Sequence, residues 1–384
     1  MRLYLDYSAT TPPRAEAIER MQWVLSHAWG NPSSIHWWGE KAAEVLEEAR
    51  YQVAHLLGAD PTAIVFTSGG TESDNLALLG MAQGYDRPQH LIISSVEHSA
   101  IEASATFLET QGWQVTRLAV DRDGLVSPET LAAAIQPNTV LVSIIYGQNE
   151  VGTLQPIASL AAVARAQGVL FHTDAVQLAG RVPLNVDTLG VDLLSLSSHK
   201  LYGPQGVGAL YVRPGVKLVA VQRGGGQEQT LRSGTQGVAT IAGFGIAAAL
   251  AVQELEIEQP RLQSLRDRLR NQLDTTPYLV WTGAQEQRLP HHLSFCIDHP
   301  QQKPVNGKTI VRQLNLASIG ISSGSACSSG QTQPSRILRA MGYSDRLALS
   351  SLRISFGKPT RLLDVDWVAQ VIPQIVERAI EMET

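Results

Sequence analysis

The stretch S-L-S-S-H-K-L-Y-G-P-Q-G, residues Ser195–Gly206, joins a short apolar run, Val191–Leu196, to a glycine-containing turn. The segment F-H-T-D-A-V-Q, Phe171–Gln177, is built the same way around the run Val169–Phe171. Runs this short and apolar are typical of strands buried on both faces of a sheet. In both segments the polar residues come directly after the predicted strand.

Similar apolar runs recur between about residues 40 and 250. They are Ala63–Phe66, Leu91–Ile93, Val115–Leu118, Val140–Ile145, Val169–Phe171, Leu193–Leu196 and Val207–Val212. Stretches with a helical pattern separate most of them, namely Glu40–Leu57, Glu72–Met81, Ala100–Thr110, Ser127–Ile135 and Ile157–Gln167. This alternation predicts an α/β fold with a mostly parallel sheet covered by helices. Such sheets bind ligands at the carboxyl ends of their strands.

The pattern changes after about residue 255. A charged helix is predicted there, and an α+β unit follows it, with elements at Leu255–Leu273, Leu293–Ile297, Val305–Leu316 and Leu352–Phe356. We therefore predict a large domain over residues 15–257. A smaller domain is predicted to combine residues 1–14 with residues 258–384.

The composition is that of a globular protein, with 384 residues, 44% of them hydrophobic, and a net charge of -5. Charges of both signs are mixed along the chain, which argues against nucleic acid or an anionic membrane as a partner. Two cysteines form no disulfide framework and suit a reducing compartment. The start of the chain lacks the apolar core of a signal peptide. The apolar stretch Val238–Val252 is too short for a membrane span, so a cytoplasmic protein is expected.

Lys200 and Asp174 suggest the chemistry of the site. A lysine directly after a buried strand can form a Schiff base with an aldehyde. An aspartate after the neighbouring strand can keep a pyridine nitrogen protonated, and Gln177 could reach a ring hydroxyl, although Asp174 alone could simply cap a helix. Together the two residues are the minimal apparatus for pyridoxal 5'-phosphate, which withdraws electrons while the protein orients it.

The segment T-S-G-G-T-E-S-D-N, Thr67–Asn75, predicts a strand, a turn and a helix. Gly70 would let the backbone approach a ligand, and the helix N-terminus with the Thr71 hydroxyl would suit a phosphate. Ser197 and His199, close to Lys200 in the sequence, could bind the same phosphate. An ordinary capped turn explains the segment about as well.

Two further polar residues are candidates for contact with cofactor or substrate. His98, in V-E-H-S-A, could stack on the cofactor ring and exchange protons, or it could be structural. Arg353, in S-S-L-R-I-S-F-G, could hold a substrate carboxylate with its guanidinium fork, or it could form a surface ion pair.

The two cysteines have different surroundings. Cys327 lies in I-S-S-G-S-A-C-S-S-G, a run of serine and glycine that predicts an exposed, mobile loop with a reactive thiol. The alternative is an incidental small residue. Cys296, in L-S-F-C-I, follows the alternation of a half-buried strand, which indicates a structural role.

Taken together, the motifs resemble the cysteine desulfurases, a branch of the class V aminotransferases among the fold-type-I pyridoxal phosphate enzymes. The resemblance covers essentially the whole chain. Beyond the segments above, it includes L-D-Y-S-A-T-T-P, G-N-P-S-S-I-H, N-E-V-G, G-G-G-Q-E and L-R-S-G-T. Gln148 is a departure, because the family often has a second asparagine there.

The resemblance implies a role for each matching residue. Lys200 carries the Schiff base, Asp174 and Gln177 contact the ring, and His98 stacks on it. The phosphate is bound by Thr71, Ser197 and His199, and by Thr235 from the partner subunit of a homodimer. Asn149 contacts the cofactor and, with Arg353, the substrate carboxylate. Cys327 receives the sulfur, and no metal is expected.

The implied activity is conversion of L-cysteine to L-alanine. The sulfur would pass through a persulfide on Cys327 to acceptor proteins for iron–sulfur cluster assembly or tRNA thiolation. A selenocysteine lyase, a cystine C–S lyase or a small aminotransferase on the same fold is the alternative. A non-catalytic scaffold that docks sulfur carriers fits less well with Lys200, Asp174 and Cys327 all present.

Overall fold

The computed structural model describes residues 2–324 and 333–382. Its helices are α1 Ala15–His27, α2 Trp37–Leu57, α3 Gly70–Ala82, α4 Ser99–Thr110, α5 Pro128–Ala134, α6 Ile157–Ala166, α7 Val186–Leu189, α8 Val238–Leu273, α9 Gly307–Leu316, α10 Arg336–Ala340, α11 Asp345–Leu349 and α12 Leu362–Met382. Its strands are β1 Leu3–Tyr4, β2 Ile64–Thr67, β3 His90–Ser94, β4 Gln114–Leu118, β5 Thr139–Ser143, β6 Leu170–Asp174, β7 Leu193–Ser197, β8 Gly208–Val212, β9 Leu279–Trp281, β10 His292–Ile297, β11 Ile319–Gly320, β12 Ser322–Ser323 and β13 Leu352–Ser355.

The central element is a seven-stranded sheet with the order β2-β8-β7-β6-β5-β3-β4. Neighbouring strands from β7 through β4 pair in parallel, whereas β8 runs antiparallel to both of its neighbours. Each of these strands coincides with one of the apolar runs found in the sequence. The prediction of an α/β fold with a mostly parallel sheet is therefore confirmed.

Alternate residues of the strands feed two different cores, one on each face of the sheet. Ile92 and Val142 pack into one core, whereas Leu91, Ile93 and Leu141 pack into the other. Burial on both faces explains why these strands are continuous apolar runs without polar alternation. The polar side chains are displaced to the strand ends.

A second layer holds the C-terminal part of the chain. It contains an antiparallel sheet with the order β12-β13-β10-β9, together with the parallel pair β1-β11. Leu3 and Leu5 lie in the same core as Leu293, Ile319 and Ile354. The start of the chain thus packs with its C-terminal part.

Helix α8 links the two layers without a break. Its first half packs into the core of the large sheet through Ile241 and Phe244, and its second half packs into the C-terminal core through Leu265 and Leu269. The boundary predicted near residue 257 falls between these halves, and the division into two domains remains a prediction.

The apolar stretch Val238–Val252, expected from its length not to span a membrane, is part of a longer helix. The stretch continues through Pro260 into a helix of 36 residues. Among the described residues, α8 is the one helix that could cross a membrane by length and composition, and 44% of its most apolar window is buried inside the fold. Core helices of other proteins pass the same test, so this feature is weak support for a span.

Candidate active site

A cavity of about 400 Å³ opens at the carboxyl ends of the parallel strands. Ten residues singled out in the sequence line it: Gly70, Thr71, His98, Asn149, Asp174, Gln177, Ser197, His199, Lys200 and Arg353. They come from distant parts of the chain. The topology brings them together because parallel strands end at the same edge of a sheet.

Lys200 is held in a short turn of 3₁₀ helix, Ser198–Lys200, directly after β7. Its ammonium nitrogen donates to the backbone carbonyls of Ser8 at 2.7 Å and Ala9 at 2.8 Å. Two residues later, Tyr202 adopts a left-handed φ of 67°. The hydroxyl of Thr11 accepts from the Tyr202 amide at 2.7 Å, and the N-terminal segment thus fixes the turn from both sides.

One end of the cavity is suited to an anion. Helix α3 begins there after Gly69, and the first amide groups of a helix lack partners within the helix. Thr71, Ser197 and His199 line the same end. Burial and the charge of Lys200 lower the pKa of His199 to about 4, so its imidazole is neutral at physiological pH.

Asp174, the last residue of β6, lines the cavity. Its carboxylate is buried and accepts from the Val176 amide at 2.9 Å. Burial raises the pKa of Asp174, whereas His98 and Lys200 lower it. Gln177, in the turn that follows β6, donates its side-chain amide to the Ser8 carbonyl at 3.0 Å.

His98 caps the N-terminus of α4, where its Nδ1 atom accepts from the Ala100 amide at 3.2 Å. Burial lowers the pKa of His98, although Asp174 acts in the opposite direction. With Nδ1 used as an acceptor, any exchange of protons with a ligand takes place at Nε2.

Arg353, on β13, closes the opposite wall of the cavity. It donates to the Asp6 carboxylate at 2.6 Å and to the Asn149 carbonyl at 2.9 Å. Its Nε atom is buried and has no hydrogen-bond partner among the described residues. The guanidinium lines the cavity, where it can meet a carboxylate, and the surface ion pair considered from the sequence is wrong, because Arg353 is only 4% exposed.

The departure at Gln148 has a clear structural role. Its side-chain amide nitrogen donates to the Val96 carbonyl at 3.0 Å, and its oxygen accepts from the amides of Glu150 and Val151. These bonds tie the loop that carries Asn149 to the loop that follows β3. Glutamine at this position therefore supports Asn149.

The sequence analysis missed several residues of the site. Ser8 and Ala9 line the cavity, Asp6 holds Arg353, and Asp74 forms part of the floor. The motif L-D-Y-S-A-T-T-P contains Asp6, Ser8 and Ala9, but the motif by itself predicts no role for them. Asp74 sits inside T-E-S-D-N, where a helix interior predicts an ordinary buried face.

Three residues with a role predicted from the sequence are not among those that line this cavity. Thr235 lines a separate groove with Leu25, Trp29 and other residues, so its contact with a partner subunit remains a prediction. Cys327 lies outside the described residues. Cys296 is fully buried in β10, and burial raises the pKa of its thiol to about 12, in keeping with a structural role.

A family model described as Aminotransferase class-V matches residues 3–368. The chain therefore belongs to the class-V aminotransferase family, as its fold and the position of Lys200 indicate.

Similar proteins identify the branch of the family to which this chain belongs. Cysteine desulfurase IscS of Dictyoglomus turgidum is 43% identical over 378 residues, which are 98% of this chain and 95% of that protein. A solved NifS-like protein has a TM-score of 0.91 at 34% identity and covers 98% of this chain and 100% of its own. The structure of SspA in complex with cysteine has a TM-score of 0.80 at 35% identity, covering 93% of this chain and 99% of its own. Within its family, the chain belongs to the cysteine desulfurases, and the resemblance predicted from the motifs is confirmed.

Proposed function

We propose that this protein converts L-cysteine to L-alanine with pyridoxal 5'-phosphate and receives the sulfur on Cys327. The observation that carries the proposal is the shared cavity of Lys200, Asp174 and Arg353. An amine, a buried carboxylate and a carboxylate-binding guanidinium in one cavity suit the binding and deprotonation of an amino acid. SspA, a structural relative, is described in complex with cysteine.

The donor set fits the cofactor. The helix N-terminus with Thr71, Ser197 and His199 would hold the phosphate, Asp174 would face the ring nitrogen, and Lys200 would face the aldehyde. A cavity of about 400 Å³ has room for the cofactor and a small amino acid. When bound, pyridoxal phosphate supplies an aldehyde for the substrate amine and a ring that accepts electrons from the α-carbon.

Arg353 and Asn149 orient the substrate. The guanidinium, fixed by Asp6, would bind the α-carboxylate from the wall of the cavity. The backbone carbonyls of Ser8 and Ala9 hold the amine of Lys200 in place. This amine would take the α-proton of the substrate and return the proton later in the reaction. Nε2 of His98 would exchange the proton of the substrate thiol.

Cys327 is the proposed sulfur acceptor. Its thiolate attacks the sulfur of the substrate, a new S–S bond forms, and the C–S bond breaks with its electron pair left on the carbon side. Protonation of that carbon fragment gives alanine. The products are a persulfide on Cys327 and one alanine, and no outside oxidant is needed.

A homodimer is the proposed active unit. Thr235 lies in a groove outside the cavity, beside a face with several exposed apolar side chains. Leu25, Trp29, Ile35 and Trp37 are 64%, 65%, 95% and 60% exposed. Apolar faces of this kind in soluble proteins mark interfaces, and a second copy would bring Thr235 to the phosphate of its neighbour.

The sulfur would then pass to acceptor proteins for iron–sulfur cluster assembly or tRNA thiolation in the cytoplasm. The name of the Dictyoglomus turgidum relative, IscS, supports this direction. Selenocysteine lyase and cystine C–S lyase activities remain the alternative, and they differ in product, because a C–S lyase releases pyruvate and a desulfurase releases alanine.

The test is mass spectrometry of the intact protein after incubation with L-cysteine. We expect the mass of one or more added sulfur atoms on the peptide that contains Cys327, and alanine in solution. The variant Cys327→Ala should bind the cofactor, keep its colour and form no persulfide. Cys296→Ala is the matched control and should behave as the wild type. If Cys327→Ala released sulfur at the normal rate, Cys327 would not be the sulfur acceptor.

A further inference from the structure

A layer of buried acidic groups lies behind Asp174. Asp74, in the second turn of α3, is 1% exposed and lines the floor of the cavity. One carboxylate oxygen each from Asp74 and Asp174 and one ring nitrogen of His98 lie within 4.8 Å of one another. Glu97, also 1% exposed, lies close enough to influence both aspartates.

The two aspartates differ in what surrounds them. Asp174 accepts a hydrogen bond from the Val176 amide and is near the positive charge of Lys200. Within the part of the chain that the structure describes, no donor reaches Oδ1 of Asp74. Among the described residues Ser195 is the one side-chain donor to this carboxyl group, and an ionised carboxylate with one oxygen left without a donor is costly to bury.

His172 does not act as the missing cation. Its Nε2 atom is 3.8 Å from Oδ1 of Asp74, but both ring nitrogens already lie at hydrogen-bond distance from serine hydroxyls, Ser143 at 2.8 Å and Ser195 at 3.0 Å. Burial lowers the pKa of His172 to about 3, so the imidazole is neutral. The described groups that face Asp74 are therefore two acids, Asp174 and Glu97, two neutral imidazoles and the hydroxyl of Ser195, and none of them is a cation.

We propose that Asp74 is a positioning residue that stays protonated, so that Asp174 is the single ionised carboxylate facing the cofactor nitrogen. Two adjacent buried carboxyl groups cannot both ionise without a counter-charge, and the proton belongs to the one without a positive charge beside it, since Lys200 acts on Asp174 and no cation in the described part of the chain acts on Asp74. The pKa of Asp74 agrees in direction, since burial raises it well above its ordinary value, Asp174 and Glu97 raise it further, and only Ser195 lowers it. The inference rests on the proposed cofactor.

This arrangement has a functional consequence. One negative charge, on Asp174, matches one positive charge on a protonated ring nitrogen. A second ionised carboxylate would leave an uncompensated charge under the ring. Asp74 thus tunes the group that touches the cofactor without touching the reacting atoms itself.

The test compares the same substitution at both positions. Asp74→Asn replaces a neutral acid with a neutral amide, and we expect the absorbance band and the cofactor dissociation constant at neutral pH to stay within about threefold of the wild type. Asp174→Asn removes the ionised carboxylate that would face the cofactor nitrogen. It should shift the absorbance band and weaken cofactor binding at least tenfold, the equivalent of one pKa unit. Infrared spectra should show a protonated carboxyl band that Asp74→Asn removes.

Glu97→Gln is the matched control, because it should remove a different carboxyl band and leave the Asp74 band in place. If Asp74→Asn removes no band and weakens cofactor binding tenfold, Asp74 is ionised and the inference is wrong. Should that variant not fold, carbon-13 labelling of aspartate in the wild type identifies an aspartic acid band by its isotope shift, and its absence would equally overturn the inference. Failure of the proposed function looks different, since the wild type would then bind no cofactor while the infrared band remained.

Discussion

At the scale of single residues, Arg353 shows how a binding group is prepared in advance. A long flexible side chain loses conformational entropy when it binds a ligand. The bonds to Asp6 and to the Asn149 carbonyl fix the guanidinium before any substrate arrives. This fixed geometry predicts that the planar fork, beyond its charge, determines affinity.

We expect Arg353→Lys to raise the KM for cysteine about 30-fold, the equivalent of about 2 kcal/mol for a lost charge-assisted hydrogen bond, and to change kcat much less. Steady-state alanine release measures both constants. Arg346→Lys is the control, because Arg346 pairs with Asp298 at 2.7 Å away from the cavity. An unchanged KM in Arg353→Lys would mean that the substrate carboxylate binds elsewhere.

Glu97 links a single buried acid to the pH dependence of stability. Burial raises the pKa of Glu97 from an ordinary 4.5 to about 8 in the folded protein. Between these values the unfolded chain has lost a proton that the folded chain keeps, so stability is full below the lower value and falls as pH rises toward the higher one.

Thermal unfolding of the cofactor-free protein across that pH range should therefore show a falling melting temperature. We expect Glu97→Gln to flatten this dependence, because glutamine has no proton to lose. The comparison variant is Glu109→Gln, since Glu109 is on the surface and is paired with Arg117 at 2.8 Å. A wild-type curve that rises between the two pKa values would contradict the assignment.

Single residues also show where the sequence was informative. Lys200, Asp174 and His98 each directly follow an apolar run, and that position alone predicted the edge of the sheet where they meet. Asp74 could not be found in this way, because its importance depends on the distance between a helix and a neighbouring strand. Ser8 was hidden for the same reason, since its partner lies 192 residues away.

At the scale of elements, the loop that leads to Thr235 is unusual. Three consecutive residues, Glu228, Gln229 and Thr230, have φ values of 47°, 55° and 68°. Side chains in this left-handed region cost about 1–2 kcal/mol per residue. A buried ion pair compensates, since Arg50 donates to Glu228 at 2.9 and 3.0 Å and the Phe66 amide adds a third bond.

We predict that Glu228→Gln destabilises the protein by about 3 kcal/mol, because it leaves the buried Arg50 without its full counter-charge. Chemical denaturation measures the difference. Asp187→Asn, which breaks an exposed pair with Arg213 at 3.3 Å, is the control and should cost less than about 0.5 kcal/mol. Equal losses in the two variants would show that the loop does not depend on the buried pair.

Helix α8 is the element that the sequence described least well. Its apolar first half and charged second half have the composition of separate units, yet the helix runs through Pro260 without ending. The helix continues because each half buries leucines or other apolar residues in a core of its own. Local composition could not show this, since it depends on what packs against each half.

At the scale of the whole molecule, the apolar face near Thr235 leads to a prediction about assembly. Ile35→Asp places a charge at a position that is 95% exposed in the single chain. If a second copy covers this face, the substitution should shift the protein toward monomers in sedimentation experiments and weaken cofactor binding, because Thr235 is removed from the neighbouring site.

Ile257→Asp is the matched control for this experiment. Ile257 is 72% exposed on α8, and a charge there should change neither assembly nor cofactor affinity. A dimer that survives Ile35→Asp unchanged would show that the face has another use. The pair of variants thus separates the effect of location from the effect of replacing any exposed isoleucine.

The N-terminal segment has a consequence for biosynthesis. Leu5 donates to the Gly320 carbonyl at 2.8 Å, and the Ser8 amide donates to the Ser355 hydroxyl at 2.8 Å, while the Ser8 carbonyl holds Lys200. Residues 5–8 leave the ribosome well before residues 320–355 do. Domains generally fold as they emerge, but the N-terminal segment that holds Lys200 must wait for its own partners, which are made some three hundred residues after it. A chain stalled on the ribosome before residue 320 would therefore have its seven-stranded sheet folded, while the N-terminal segment that holds Lys200 would not yet be fixed.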